Sequence, residues 1–281
     1  MKPSGTFNRA VKQSPWRFSL ALGGLLLAPA IALAQGGATV PGGGLAGTVH
    51  DFNHGAAVQN AGVGLCTFCH TPHKAQQSRL LWNHTLSAST FSWSDATTTT
   101  GGTNLPTITP AYTGPTVKCL SCHDGTVAIG DVSWYKEQAN HGANALDPSK
   151  IGAGALIGSV SDTGVSEFQI ASAAGDMKGN HPVAVAFPFG GAASTYNATT
   201  TGASALLSGW QADPQTLNIR LFTDNSGVGS DIVAGATPAK SGIECSSCHD
   251  PHNKAAVDDL FLRGSLVGND TTYICQKCHS K

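Results

Sequence analysis

The chain has 281 residues, of which only 12% are charged, and its formal net charge is −1. This low charge, without clusters of basic residues, argues against a protein that binds nucleic acid through phosphate contacts. Apolar residues make up 41% of the sequence, which argues against a wholly disordered chain. Large aliphatic residues are nevertheless sparse for this length, so we expect something other than side chains to fill part of the core.

The first 34 residues have the pattern of a secretory signal peptide. Four basic residues and no acidic residue accompany an apolar run from Phe18 to Ala34, which ends in the small-x-small sequence ALA. A membrane anchor is the alternative, but about 17 apolar residues interrupted by Pro29 are short for a bilayer span. We expect cleavage before Gln35 and a secreted product without a membrane span. That product has 12 basic and 17 acidic residues, a net charge of −5.

After the signal peptide, the sequence predicts short elements separated by long stretches of coil. Residues 35–48 are glycine-rich and are expected to form an extended arm, and residues 85–116 are a Thr/Ser-rich loop. Alternating apolar and polar residues predict strands at 181–189 and at 217–222. Short helices are expected at four cysteine-containing motifs.

All eight cysteines occur in C-x-x-C pairs, and a histidine follows each pair directly. In chain order, these motifs, called haem sites 1 to 4 below, contain Cys66, Cys69 and His70; Cys119, Cys122 and His123; Cys245, Cys248 and His249; and Cys275, Cys278 and His279. C-x-x-C-H is the attachment site of haem c, where both thiols bond to the porphyrin and the histidine is the proximal iron ligand. Disulfides, zinc sites and a redox dithiol are the alternatives. None of them requires a histidine at the fifth position of every motif, so the sequence predicts four covalently attached haem c groups.

The other histidines are numerous enough to supply a second axial ligand for every iron. Seven remain, whereas the secreted product has a single methionine, Met177. Bis-histidine ligation is therefore expected, and it gives lower potentials than His/Met ligation. His73 and His252 each lie three residues after a proximal histidine, so they are expected to reach a neighbouring haem. The simplest assignment gives His73 to haem 2 and His252 to haem 4.

Two irons then need ligands from other parts of the chain. His84 in LLWNH and His181 in GNHPVAV are the first candidates, followed by His50 in TVHDF. His54 and His141 lie in Gly/Asn-rich stretches and are expected at the surface.

The motifs divide the secreted product, residues 35–281, into two similar halves. A doubled motif followed by a plain one occupies about residues 49–135 and again about residues 236–281, on either side of a Gly/Thr-rich segment of about residues 136–235. Shared ligands would prevent the halves from being separate domains. The predicted fold class is a multihaem cytochrome c, mostly coil, with short helices at the haem sites, a few short β-strands and a core of four stacked haems.

The phrases CHTPH, LWNH, CLSCHDGTVA, NHPV and ECSSCHDPHN resemble those of the doubled-CxxCH multihaem cytochromes of metal-reducing bacteria. The pattern is similar to the extracellular tetrahaem cytochromes of the OmcE type, whose subunits polymerise into conductive filaments. The resemblance runs from about residue 49 to the last motif, apart from Thr/Gly-rich loops. It implies four distal ligands: His73, His84, His181 and His252. It also implies that a histidine such as His50 can ligate a haem of the next subunit.

Electron transfer is the function that four closed, low-potential haems favour, because such haems gain and lose electrons without binding a substrate. The resemblance further implies that the chain polymerises into an extracellular filament. Its partners would be further copies of the chain, other redox proteins or extracellular electron acceptors. A periplasmic shuttle that does not polymerise is one alternative. A multihaem reductase of nitrite or a similar oxyanion is another, but it needs an open iron. Because no CxxCK motif occurs and histidines are plentiful, we do not expect an enzyme.

Overall fold

The structure, a computed structural model, describes residues 40–52, 65–73, 75, 79–135, 138–139, 168–172, 175–201 and 204–280. These residues all belong to one compact unit, Ala38–Lys281. The predicted signal peptide, His54 and His141 lie outside the described residues. Within the described ranges, no helix has the length and apolar character needed to cross a membrane.

The helices of the described residues are short and coincide with haem sites. Helix α1, Pro115–His123, contains the whole motif of site 2 and begins at a proline, whose fixed φ suits the first turn. Helix α2, Cys245–Cys248, is a single turn that holds both cysteines of site 3. The 3₁₀ segments are Arg79–Leu81, Phe189–Gly191, Ser204–Gly209, Pro214–Leu217 and Ile274–Lys277. The last of them includes the first cysteine of site 4, whereas site 1 lies in turns.

Short antiparallel strands make up the β-structure of the described residues. In chain order they are β1 (Trp134–Tyr135), β2 (Gln138–Ala139), β3 (Val185–Ala186), β4 (Thr195–Tyr196), β5 (Thr199–Thr200), β6 (Phe222–Asp224), β7 (Ile232–Ala234) and β8 (Ser241–Ile243). Strands β1 and β2 pair with each other, as do β4 and β5. The remaining four form a sheet in the order β3-β8-β6-β7.

The four-stranded sheet lies between two apolar clusters, because successive strand residues point to opposite faces. Ala186 and Phe222 belong to one cluster, which also includes apolar residues of α1. Val185 and Ile243 belong to the other, against which Cys278 of site 4 packs. The sheet therefore connects the surroundings of haem sites 2 and 4.

The predicted coil-rich architecture with short helices and strands is confirmed, but the strands are shorter than the sequence pattern indicated. The strand expected at 181–189 is restricted to Val185–Ala186. The strand expected at 217–222 begins only at Phe222, because the preceding 3₁₀ turn ends at Asn218 in the left-handed conformation. The core of four stacked haems stays a prediction.

Candidate haem sites

The four C-x-x-C pairs follow one another in space in the same order as in the chain. All eight cysteines lie in the described part of the chain, and all are free thiols. Neighbouring thiols of successive sites interact: Cys69 with Cys122, Cys119 with Cys245, and Cys248 with Cys275. Among the described residues, no group of three or more His, Cys, Asp or Glu side chains is arranged to hold a metal ion. Among the described residues, the cysteines thus form no disulfide and no group of zinc-type ligands.

Burial favours the neutral form of four of these thiols. It raises the pKa of Cys69, Cys122 and Cys278 to about 12 and that of Cys248 to about 11. A redox dithiol needs the opposite, a thiol whose pKa is lowered by its surroundings. In these four cysteines, therefore, burial opposes formation of the thiolate that a redox dithiol uses.

A buried carboxylate joins the helices of sites 2 and 3. Glu244, which caps α2 directly before Cys245, is 1% exposed. It accepts hydrogen bonds from the hydroxyl groups of Tyr112 and Tyr196 (2.6 Å for Tyr196) and from the backbone N–H of Thr116 (3.1 Å) in α1. Burial raises the pKa of Glu244, although these donors oppose the shift. The sequence analysis missed this group; its one signal was an acidic residue at the N-terminal cap of the motif helix.

Three proximal histidines hold one ring nitrogen against a backbone carbonyl. Nδ1 donates to the carbonyl oxygen of a distant residue: His70 to Leu80 (2.5 Å), His123 to Phe168 (2.8 Å) and His249 to Leu260 (2.7 Å). Because a carbonyl only accepts, the hydrogen lies on Nδ1 and the lone pair of Nε2 remains for a metal. Burial also lowers the pKa of His123, which favours the neutral imidazole that binds metals.

Haem sites 1 and 3 share a local backbone arrangement that the sequence did not reveal. Leu80 and Leu81 after site 1, and Leu260 and Phe261 after site 3, have φ values between 51° and 60°. This left-handed conformation is uncommon for bulky residues. In each pair, the first carbonyl accepts from the proximal imidazole. The second accepts the N–H of the residue after that histidine, at 2.8 Å and 2.7 Å. The two doubled motifs are therefore a structural repeat.

Three proximal imidazoles have a second imidazole beside them. The ring centroids lie 6.2 Å apart for His70 and His252, 6.2 Å for His50 and His123, and 6.5 Å for His181 and His279. Two imidazoles on opposite sides of one metal should have centroids about 6 Å apart, given metal–nitrogen bonds of about 2.0 Å and about 1.1 Å from nitrogen to ring centre. The spacing fits bis-histidine ligation at sites 1, 2 and 4.

These pairs differ from the simplest assignment made from the sequence. His252 lies beside His70 of site 1 rather than at site 4. Site 2 has His50 of the same chain, and not His73, as its neighbour. Burial, with a further contribution from the adjacent His123, lowers the pKa of His50 to about 4 and keeps its ring neutral.

His84, a first candidate in the sequence, is buried among backbone carbonyls. Its Nδ1 lies 2.8 Å from the oxygen of Thr85, and its Nε2 lies 3.1 Å and 3.2 Å from the oxygens of Ala128 and Ile129. Nε2 is also 3.5 Å from Sγ of Cys122 in site 2. Both ring nitrogens thus face groups of the protein, so this conformation connects two chain segments and does not present a nitrogen to a metal.

Site 3 differs from the other three sites. Among the described residues, no second imidazole is in ring contact with His249. His73, the remaining candidate, is exposed, and its backbone N–H donates to the hydroxyl of Thr71 at 3.3 Å.

A family model for the doubled CXXCH motif matches residues 237–281, which contain sites 3 and 4. No curated protein matches the chain. The family match indicates covalent binding of haem c and a c-type cytochrome involved in electron transfer. The free thiol pairs, the oriented proximal imidazoles and the imidazole pairs are all consistent with this cofactor.

Proposed function

We propose that the protein is an electron-transfer cytochrome that carries four haem c groups in series, with two histidines on each iron. The observation that carries the proposal is the set of three imidazole pairs with centroids 6.2–6.5 Å apart. Bound haem supplies one-electron chemistry. The chain supplies covalent attachment, and its paired imidazoles close the irons to substrates.

The contacts between cysteine pairs support one linear order, from site 1 to site 4. Site 1 adjoins site 2 through Cys69, and site 4 adjoins site 3 through Cys275. Cys66 and Cys275, in the first and last motifs, are exposed, whereas the other six cysteines are partly buried. Electrons would therefore enter and leave at sites 1 and 4, while sites 2 and 3 are held together by the contact of α1 with α2.

We assign the second ligand of haem 3 to His73 on the basis of the structural repeat. His252 follows the site 3 motif and lies beside His70 of site 1. His73 holds the same place after the site 1 motif, so the repeat relates it to His249 of site 3. The two doubled motifs would then exchange ligands reciprocally within one chain.

Ferric electron paramagnetic resonance, with a haem count per chain, tests this ligation. We expect four haems, low-spin signals only, and potentials below those of His/Met haems. His50→Ala, His181→Ala and His252→Ala should each convert one haem to high spin. His84→Gln is the matched control and should leave all four low-spin. A colourless protein, or one with disulfide-linked cysteines, would refute the proposal.

Two alternatives give different experimental results. A wild-type protein with a high-spin ferric haem that binds nitrite would favour the oxyanion reductase. An extracellular filament of the OmcE type remains our finer proposal, and the sequence resemblance is its support. Electron microscopy of secreted material should show filaments, whereas dispersed particles retained in the periplasm would favour the shuttle.

A further inference from the structure

Asn253 is a buried amide that binds the backbone of residues 40–51, called the N-terminal arm from here on; these residues form mostly turns and not the extended arm expected at 35–48. Its side chain is nearly inaccessible to solvent. Nδ2 donates to the carbonyl oxygens of Val40 and Gly44, both at 3.0 Å, and Oδ1 accepts from the N–H of Gly42 at 3.2 Å. The backbone carbonyl of Asn253 accepts from the N–H of Gly44 at 2.9 Å. One residue thus fixes the first five residues of the arm.

The chemistry at this position suits asparagine. Asn253 has a φ of 53°, a left-handed conformation that asparagine tolerates better than most residues. Two carbonyls and one N–H face its side chain, so the residue must both donate and accept, which aspartate does not do. Gly42 and Gly44 also have positive φ values, 77° and 94°, so the arm curls around the amide. Without this clamp, a glycine-rich segment regains large conformational entropy.

The arm continues from the clamp into a turn that ends at His50. Oγ1 of Thr48 accepts from the N–H of His50 at 3.2 Å, and Oδ2 of Asp51 accepts from the N–H of Gly47 at 2.8 Å. Both Thr48 and Asp51 are buried. The imidazole of His50 stacks on Phe261 with 4.8 Å between ring centroids. The clamp and the turn therefore fix the backbone that carries His50, and the ring itself rests on Phe261 and hydrogen-bonds to the backbone of Pro251.

We propose that Asn253 is a positioning residue for the second axial ligand of haem 2. It acts through the arm, which brings His50 beside His123 of site 2. This inference rests on the proposed assignment of His50 as that ligand. Asn253 directly follows His252, which lies beside His70 of site 1. Two consecutive residues after motif 3 would therefore determine the ligation of two different haems in the other half of the chain.

Asn253→Gly and Asn218→Gly form a matched pair of variants. Asn218 also has a positive φ, 73°, and its Nδ2 donates to the carbonyl oxygens of Ala255 (2.7 Å) and Arg263 (3.0 Å). Glycine keeps the left-handed backbone at both positions and removes only the amide. The first variant removes the three side-chain hydrogen bonds to the arm, whereas the second removes side-chain hydrogen bonds from residue 218 to the loop that follows motif 3.

The readout is the spin state of the haem-loaded protein. Asn253→Gly should keep four attached haems and convert about one quarter of the ferric haem to high spin, and added imidazole should restore the low-spin state. Asn218→Gly should remain low-spin even where its denaturation midpoint falls. A chain that begins at Leu45 after its signal peptide keeps Asn253 but loses its partners. It should repeat the spin change, which keeps the proposal testable if Asn253→Gly does not accumulate.

His50→Ala separates failure of this inference from failure of the proposed ligation. If His50→Ala gives a high-spin haem and Asn253→Gly does not, the positioning role is wrong. An equal high-spin fraction in Asn218→Gly also overturns it, because Asn253 would then act only on general stability. If His50→Ala remains fully low-spin, the assignment of His50 itself is wrong.

Discussion

Glu244→Gln tests whether the carboxyl group between α1 and α2 is held neutral by burial. The substitution keeps the volume of the side chain but replaces one carboxylate oxygen with an N–H donor. The donors that converge on the native carboxyl group include the hydroxyl groups of Tyr112 and Tyr196 and the backbone N–H of Thr116. Either orientation of the glutamine amide leaves at least one of them without an acceptor.

The expected cost follows from the burial of this group. An unsatisfied buried donor destabilises a protein by about 1–3 kcal/mol. That cost is a large part of a total stability of about 5–15 kcal/mol. Because Glu244 connects the helices of sites 2 and 3, the loss should appear as a lower free energy of unfolding with all four haems still attached.

The pH dependence gives the sign of the effect. An unfolded glutamate ionises near about pH 4.3. Burial raises the pKa of Glu244 in the folded protein. The stability that this carboxyl contributes is therefore fully present below about pH 4.3 and is lost as the pH rises through the folded pKa. Glutamine does not titrate, so the cost of the substitution should be greatest near pH ~4 and fall by up to about 1.4 kcal/mol per pH unit above it.

Guanidinium unfolding of the haem-loaded wild type and variant, followed by circular dichroism from about pH 4 to about pH 7, measures this difference. Asp270→Asn is the control, because hydrogen bonds from Thr272 lower the pKa of the exposed Asp270. Its effect should be constant above pH ~5, where that carboxyl is ionised in both states. If the cost of Glu244→Gln is constant or rises with pH, the folded protein contains the ionised carboxylate and the reasoning is wrong.

Three further predictions concern site 4, the sheet core and β8. His181→Met should raise the potential of one haem and leave the others near their wild-type values in a spectroelectrochemical titration; a uniform shift would contradict the pairing at site 4. Phe187→Ala should cost about 3–5 kcal/mol in guanidinium unfolding, because this fully buried ring packs edge-to-face on Trp210. Gly242→Ala should lower the thermal midpoint, because an added Cβ would lie 2.2 Å from the ring of Tyr196; an unchanged midpoint would mean that the ring moves freely.

The sequence predicts the haem-attachment groups because C-x-x-C-H encodes two thiols and one imidazole within five residues. Which imidazoles lie beside each other could not be predicted from such a short motif. His50 reaches His123 through an irregular arm, and no periodicity relates the two positions. The simplest assignment placed each ligand on the nearest later motif, whereas the structure brings His252 to the first motif.

Tertiary contacts explain why the structure differs from the sequence prediction at His84 and why the sequence did not reveal the role of Glu244. His84 and His181 each follow an asparagine, but Ala128 and Ile129, far from His84 in the chain, place their carbonyls at its Nε2. The role of Glu244 likewise depends on tertiary contacts with Tyr112, since a lone glutamate before a motif has no distinctive pattern. The short C-x-x-C-H motifs thus predict the type of cofactor. Contacts between distant coil segments determine which histidine and glutamate side chains meet which partners.

The contact between His70 and His252 has a consequence for maturation of the polypeptide. A chain exported from its N-terminus delivers motif 1 early and His252 near the end of translocation. If His252 is the second ligand of haem 1, as we propose, porphyrin attached at the first motif would keep one coordination position open until almost the entire product has crossed.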